Sequence, residues 1–586
     1  GGLMSNRFRW IVGFVVLGCL VVAVAFPARA DGEGFESDSF TVASYPDAAP
    51  KWPCVARGPE GDFVVVWAGP DDDGSGIFAR RYAADGTPRG DAFAVNDVTT
   101  DDQTCPSVAL ADDGRFVVTW VDHRDGATDA VYARTFDAGA SPEGASFRVD
   151  VPSDGSRRLA GSRAVAFLPD GGFAVAWAVM GGEGRPVYGR LFDPDGTPRG
   201  EPFRVADWGN YPSVDRRGGD LLFSWGGGRH ARGRLYDLSG NPRGEAFDAG
   251  ETEDAVFIAV EGRIRPSGDF AFGYPHSYWV DEYVFFHHKA SHVSRDGVIE
   301  KTVVLDETNE TANQGNESWR VVPLVDHWGR MTAVFTDLEG YSSFPDRVRA
   351  RRYDDDFEAQ GLYFDVAAKA PGEDSLRYAT ADLDGDGDIV IAWTRMVTLY
   401  TGSLEARLLC ASLDTVGPAD TDACEGARVE LRAETRGRPP FTWQWRKDGD
   451  DLEDGDNVSG ANTDTLVLDP VRADDAGSYD CVVHDGCPDV QTYVTRSAAL
   501  TVHGAIPEVP GLMLRKENQG NDLHFTWQDV ENAVDYVVRQ DTEPDGAFDT
   551  VTGTAESGTE GLTVPMPEGP ILFFKVHGRN PGCEGP

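Results

Sequence analysis

The sequence predicts an all-β protein, a repeated four-strand unit followed by two β-sandwich domains. Three observations predict it. The stretch from Pro53 to Asn96 holds four short runs rich in Val, Phe, Tyr and Ala between Gly/Asp/Pro turn signals, which reads as an antiparallel meander whose strands we call a to d. Its pattern returns about every 50 to 60 residues as far as Asp414. The apolar residue that ends strand b then counts seven copies: Trp67, Trp120, Trp177, Trp225, Tyr274, Phe335 and Trp393.

Strand c carries Ala/Gly-Arg and an aromatic, as in Ala79-Arg80-Arg81-Tyr82, Ala133-Arg134-Thr135-Phe136 and Gly189-Arg190-Leu191-Phe192. Strand d carries Phe-x-Val, as at Phe93-Val95, Phe147-Val149, Phe203-Val205 and Phe364-Val366. Units of this kind cannot bury their faces alone, so the expected architecture for 38–414 is a seven-bladed β-propeller. The seventh copy lacks Phe-x-Val, whereas Ser39-Phe40-Thr41-Val42 stands alone before the first. An N-terminal strand d completing the last unit would close the ring and leave no open sheet edge.

At the start of the chain, Gly1 to Leu3 read as a translated upstream scrap before Met4. Arg7 and Arg9, the apolar run Trp10 to Phe26 and the small-x-small site Ala28-Arg29-Ala30 then read as a secretory signal peptide over 4–30, cleaved near Ala30. The rival is an uncleaved anchor. No other apolar run is long enough to span a membrane, so the mature chain is expected to be secreted or surface-associated. A net charge of −44 argues against nucleic acid, whose phosphates it would repel. Cys54 and Cys105 open strand a in the first two repeats, where they form a bridge or stay reduced. Two of Cys410, Cys424, Cys481, Cys487 and Cys583 are also open to pairing.

The repeat stops after Leu413, and Gly417 to Asp422 is a short polar linker. The segment 418–503 carries Phe441-Thr442-Trp443-Gln444-Trp445, Leu466-Val467-Leu468 and Asp475-Ala476-Gly477-Ser478-Tyr479-Asp480-Cys481. On these residues it resembles an immunoglobulin-like domain of the I-set kind. The resemblance implies that Trp445 is the core Trp and that Tyr479 forms a tyrosine corner. Ala433 stands where the family has its strand-B cysteine, which leaves Cys481 without its usual partner. The segment 508–586, with Leu523-x-Phe525-x-Trp527, Tyr536-x-Val538 and Phe574-x-Val576, is similar to a fibronectin type III domain, degenerate or incomplete at strand G.

Repetition offers a way to look for function, because residues that recur serve the architecture and residues that break the pattern are candidates for a site. The recurring Arg80, Arg134, Arg190, Arg234, Arg351 and Arg407 are therefore read as contacts between units. The a–b and c–d turns are short and alike, so the variable b–c loops and d–a connections are the expected binding side. There Pro275 to Tyr283 supplies Tyr278, Trp279, Asp281, Glu282 and Tyr283, a second loop supplies Tyr341 and Phe344, and Trp208 and Tyr211 precede the fourth repeat. Such aromatics stack on sugars, anchor protein partners, or pack between loops.

His276, His287, His288 and His292 lack zinc spacing. Asp382, Asp384, Asp386 and Asp388 alternate around glycines and offer oxygen ligands to calcium, or form an ordinary a–b turn. No nucleophile elbow, zinc-protease or phosphate-loop motif is present. Asp122, Asp281, Glu282 and Asp337 are the acids a glycosidase or lyase would use.

With its Phe-x-Val-Asn, Gly-x-Phe-x-Val-x-Trp and Ala-Arg-Arg-Tyr motifs, the chain from Phe40 to Asp414 resembles secreted bacterial propeller repeats. That resemblance implies an extracellular binding or adhesion protein recognising a glycan or a protein, with no required cofactor. The alternatives are a secreted carbohydrate-active enzyme and a passive surface or matrix component.

Overall fold

A computed structural model describes residues 37–504 apart from 125–128, 152–155, 160–162, 181–183, 252–258, 281–282, 306–309, 312–319, 338–345, 399, 412 and 488–491; beyond 504 it describes the strands and a few flanking residues. The predicted signal segment 4–30 lies outside the described residues. Among those described there is no α-helix, and no helix is long and apolar enough to cross a membrane.

Each repeat folds into its own antiparallel sheet, because Gly- and Asp-containing turns return the chain every few residues while Val, Phe and Trp favour a pleated, buried surface. In the first sheet, strands a to d are Lys51–Arg57, Phe63–Asp71, Gly74–Tyr82 and Phe93–Ala94, paired in that order. The same order recurs over 103–148, 156–206, 210–251, 261–304 and 321–368. In the third sheet strand a is split into Ser156–Arg158 and Val165–Phe167. The seventh sheet contains Ser375–Leu383, Ile389–Met396 and Gly402–Leu409, and its fourth strand is Phe40–Tyr45, antiparallel to Gly402–Leu409.

The core lies between sheets. Val117, Val121 and Val131 of the second sheet pack with Phe173, Val175 and Trp177 of the third. A similar cluster joins Val55, Val65 and Trp67 of the first sheet to Val390, Ala392 and Leu404 of the seventh. All seven residues that end the sequence-predicted strand b are buried.

The recurring residues act across the same seams. Arg134 Nε donates to Gly144 O (2.9 Å) in its own c–d turn, and Nη1 donates to Val95 O (2.9 Å) in the preceding sheet. Arg190 repeats this with Gly200 O and Val149 O, and Arg407 Nη1 reaches Val366 O. The c–d turn glycines Gly196 and Gly240, at φ 84° and 82°, lie directly against Phe147 and Phe203 of the preceding sheet. A side chain at these turns would meet that ring as well as the left-handed backbone penalty.

What stands from the fold prediction is an all-β chain of tandem four-stranded antiparallel sheets. Period and turn chemistry define the repeated unit without naming a fold family, so the finer assignment, a seven-bladed propeller protein, is not carried forward. Two further expectations are corrected. The predicted b–c loop Pro275 to Tyr283 is mostly ladder: strands Phe270–Val280 and Tyr283–Val293 pair as far as Val280 with Tyr283, since this aromatic and β-branched stretch prolongs the hairpin. Cys54 and Cys105 are not bridged to each other. Cys54 is buried in the cluster between the first two sheets, whereas Cys105 packs against the cluster between the second and third.

Residues 421–503 form an immunoglobulin-like sandwich. One sheet carries Thr442–Lys447, Gly477–His484, Ala498–His503 and Thr421–Cys424, and the other carries Val429–Arg432, Val458–Ser459 and Thr465–Leu468. Trp445 is fully buried between them, and the Tyr479 hydroxyl donates to Asp475 O (2.6 Å), as a tyrosine corner does. Cys481 is a buried thiol beside Ala433, and burial pushes its pKa up to about 12. The bridge that does form is Cys410–Cys487, which ties the end of the seventh sheet to the sandwich; Cys424 is also disulfide-bonded. Asp414–Val416 pairs with Glu434–Arg436, and Arg438 Nε lies 3.4 Å from Asp388 Oδ2 in the a–b turn of the seventh sheet. Beyond 512, sheets of three and four strands enclose Leu523, Phe525, Trp527, Tyr536, Val538 and Val576.

Candidate functional site

Strand a of every repeat runs towards the short a–b turn, and the last residues of all seven converge on one cavity of about 230 Å³. Most of these residues are apolar, such as Val108, Val165, Ile264, Leu324 and Leu383. The charged ones are Arg57, Arg163, Arg216, Arg217 and Arg263, against two carboxylates, Asp215 and Asp382. A chain of net charge −44 thus places five guanidinium groups around one enclosure.

The acids near the cavity hold the scaffold. Asp382 Oδ2 accepts from the Arg57 amide (2.8 Å), and its Oδ1 pairs with Arg163. Asp384 Oδ2 accepts from Arg57 Nε (2.9 Å) in an ion pair whose side chains are 1% and 6% exposed. Burial outweighs the help of Arg57 and raises the Asp384 carboxyl to about 6, with the nearby Asp388 adding to the rise. Asp215 Oδ2 accepts from the Ile264 amide (2.9 Å), and Glu261 Oε2 lies 3.2 Å from Arg263 Nη2.

The arginines are less completely used. Burial and the neighbouring Arg263 charge lower Arg163 to about 10. Arg57 Nη1 and Arg163 Nε are buried without a hydrogen-bond partner among the described residues. Arg216 Nε donates to Phe167 O (3.1 Å) and Arg217 Nη1 to Ile264 O (3.3 Å), and neither forms an ion pair among the described residues.

The candidates marked in the sequence lie elsewhere or are committed to other work. Tyr278, Trp279 and Tyr283 are strand residues of the long fifth-sheet hairpin, at the b–c end, away from the cavity. Asp281, Glu282, Tyr341 and Phe344 fall outside the described residues. Trp208 is 41% exposed, with the Arg185 guanidinium 5.6 Å from its ring centroid. Asp122 is buried, accepting from Trp120 Nε1 (2.9 Å) and from Arg124 Nε (2.7 Å), and Asp337 pairs with Arg349. Neither is placed as a free acid or base.

In the proposed calcium loop, Asp384 Oδ1 accepts from the amides of Asp386 (3.0 Å) and Asp388 (2.9 Å), and Asp388 Oδ1 from that of Ala411 (2.8 Å). Three of its four carboxylates are thus bound to protein donors and only Asp386 is exposed. No group of three or more His, Cys, Asp or Glu among the described residues is placed to hold a metal ion.

The strand-a arginines escaped the sequence reading, though a signal existed. In register with the strand-b residue four before the buried one that ends it in the sequence reading, five repeats have Leu110, Phe167, Ile264, Val325 and Leu383, while two have Arg57 and Arg216. This lapse in the pattern falls in a strand rather than a variable loop.

Comparison with known proteins places relatives on the sandwich. Residues 415–485 match the immunoglobulin domain family. The chain is 35% identical over 97 residues to mouse Hemicentin-2, which is 17% of this chain and 2% of that protein. It is 38% identical over 72 residues to human SPEG neighbor protein, 12% of this chain and 30% of that one. The chain therefore spans less than a third of the length of either relative. Among solved structures, a Dyadobacter fermentans protein of unknown function aligns over 64% of this chain and 98% of its own, at 11% identity and a TM-score of 0.36. Titin domains A168–A170 align over 46% and 94%, at 14% identity and a TM-score of 0.26. These findings correct the expected kinship with secreted bacterial propeller repeats: the family matched is the immunoglobulin domain, and the relatives are mouse and human proteins that share that segment.

Proposed function

We propose that the chain is an extracellular recognition or adhesion protein, in which the tandem sheets and the immunoglobulin-like sandwich form one presented body. The observation that carries this reading is the Cys410–Cys487 disulfide between the seventh sheet and the matched immunoglobulin segment. Disulfides persist where the surroundings are oxidising, as outside the cell or in secretory compartments. A bridge at that junction also fixes the sandwich to the sheets, which suits a protein that must hold a binding surface at a set orientation. The adhesive or structural character suggested by the immunoglobulin segment supports the same reading.

The ligand in this proposal is a glycan or a protein, met by the aromatic residues Tyr278, Trp279, Tyr283 and Trp208 at the b–c and d–a side. The full chain, applied in parallel to a glycan array and an array of extracellular protein domains, should bind one class saturably and lose that binding on Trp279→Ala. Absence of saturable binding on both arrays, or full retention by both Trp279→Ala and Trp208→Ala, would reject the assignment.

A further inference from the structure

We propose that the strand-a cavity is a binding site for a small oxyanion carrying two or more negative charges, held by guanidinium groups from different sheets. The charge balance is the first reason. Arg57 is paired with Asp384, Arg163 with Asp382 and Arg263 with Glu261, which leaves Asp215, itself accepting from the Ile264 amide, as the one wall carboxylate against Arg216 and Arg217 together. Each of these two arginines makes one hydrogen bond among the described residues, to a backbone carbonyl, whereas a guanidinium offers five N–H donors.

The second reason is independent of charge. Arg57, whose side chain is 1% exposed, lines the cavity with Nη1 buried and unpartnered, and Arg163 lines it with Nε in the same condition. Buried donors are almost always satisfied in folded proteins, and leaving a charged group's donor unmet costs more than leaving a neutral one. A ligand rich in acceptor oxygens would supply what the protein does not.

The third reason is size and chemistry. About 230 Å³ would hold roughly seven waters at about 30 Å³ each, or one small anion in their place. Planar guanidinium forks match the paired oxygens of carboxylate, sulfate and phosphate. Arg216 and Arg217 are only half-buried, so solvent reaches the same wall.

The test uses the full chain at pH 7, with sulfate, inorganic phosphate and citrate titrated separately by calorimetry against sodium chloride of equal ionic strength. At least one should bind saturably and raise the melting temperature. Response to citrate alone would identify a carboxylate site, and response to sulfate or phosphate a tetrahedral one. Arg216→Gln and Arg217→Gln should each weaken binding at least tenfold while circular dichroism stays unchanged, and Arg428→Gln, an exposed arginine on the sandwich, should bind as the parent does. No saturable binding by any of the three anions would overturn the proposal, leaving a water-filled cavity. Equal affinity in both arginine variants would overturn it too, by placing the anion elsewhere.

Discussion

The arginines of strand c and those of strand a are the same residue put to opposite uses. Arg134 and Arg190 recur at one position, and each spends its donors on one carbonyl of its own c–d turn and one of the preceding sheet. Arg57 and Arg216 interrupt an apolar position of the repeat, Arg163 precedes the second piece of a split strand, and the three meet from different sheets at one cavity with donors to spare. At these two seams the recurring arginines are anchored on carbonyls from two sheets, whereas those at the cavity keep donors in reserve. A guanidinium that must do the same job at every seam is fixed by carbonyls that are always there, whereas one that does a single job depends on what enters the cavity.

The contrast breaks most severely at Arg57. Removing it leaves Asp384 as a buried carboxylate without its counter-charge, a change that costs about 3–5 kcal/mol in comparable buried pairs. Arg57→Ala should show that loss in urea denaturation, while Arg57→Met combined with Asp384→Asn, which keeps an acceptor for the Asp386 and Asp388 amides, should recover part of it. A loss below about 1 kcal/mol would show that solvent already reaches the pair.

The same pair gives a pH test of somewhat smaller size. The Asp384 carboxyl is near 6 in the folded chain against an ordinary value of 3.8, so between those values the folded state holds more protons than the unfolded one. Its contribution to stability therefore falls as pH rises through that window and is regained on acidification, by about 2–3 kcal/mol across the two units. Asp384→Asn removes this slope. The stability of the parent relative to the variant should then increase as pH drops from about 6.5 to 4, measured as the difference in urea midpoints. A constant difference would mean that the carboxyl is not perturbed.

Strand c sharpens the comparison from the other side. Arg134→Ala deletes two hydrogen bonds to carbonyls, one of them partly exposed to solvent, and should cost about 1–2 kcal/mol. Arg190→Ala should cost the same, because its two contacts, to Gly200 O and Val149 O, are the equivalent carbonyls of the next repeat at the same lengths. Neither should alter anion binding. Clearly unequal losses would show that the seams are not equivalent despite the repeat.

Much of this scaffold was legible in the sequence. The aromatic ending strand b, the Gly-containing turns and Phe-x-Val each reflect a local requirement that every unit meets again, so counting them recovered the four-strand unit, and Trp445 and Tyr479 identified the sandwich by the same kind of local need. The site was less legible, because Arg57, Arg163 and Arg216 are 53 or more residues apart and the one signal, arginine in place of an apolar residue at Arg57 and Arg216, falls in a strand and does not record that they meet. The Asp382 to Asp388 run left two readings open, a calcium loop or an ordinary turn, for the converse reason. Its spacing suits a cation, yet the donors that occupy it, Arg57 and the Ala411 amide, come from distant sequence. Cys54 and Cys105 both lie early in strand a of neighbouring repeats, but the register puts Ser107 in the place of Cys54 and leaves Cys105 two residues earlier, so the two thiols enter different seams.

A third kind of arginine gives the smallest expected effect. Arg185 neither recurs nor lines the cavity; its guanidinium sits 5.6 Å from the ring of Trp208, which is 41% exposed, and a single bridge joins their backbones. Cation–π contacts at exposed sites are worth about 0.5–1 kcal/mol, far below the cost of emptying a buried tryptophan site. Trp208→Ala should therefore change the urea midpoint by less than the equivalent of about 1 kcal/mol, against about 3–5 kcal/mol for Trp225→Ala in the adjoining sheet. Under the proposed function the same Trp208 variant should lose ligand affinity on the arrays at this nearly unchanged stability. A stability loss close to that of Trp225→Ala would instead place Trp208 with the tryptophans that hold the sheets together, and would remove it from the binding surface.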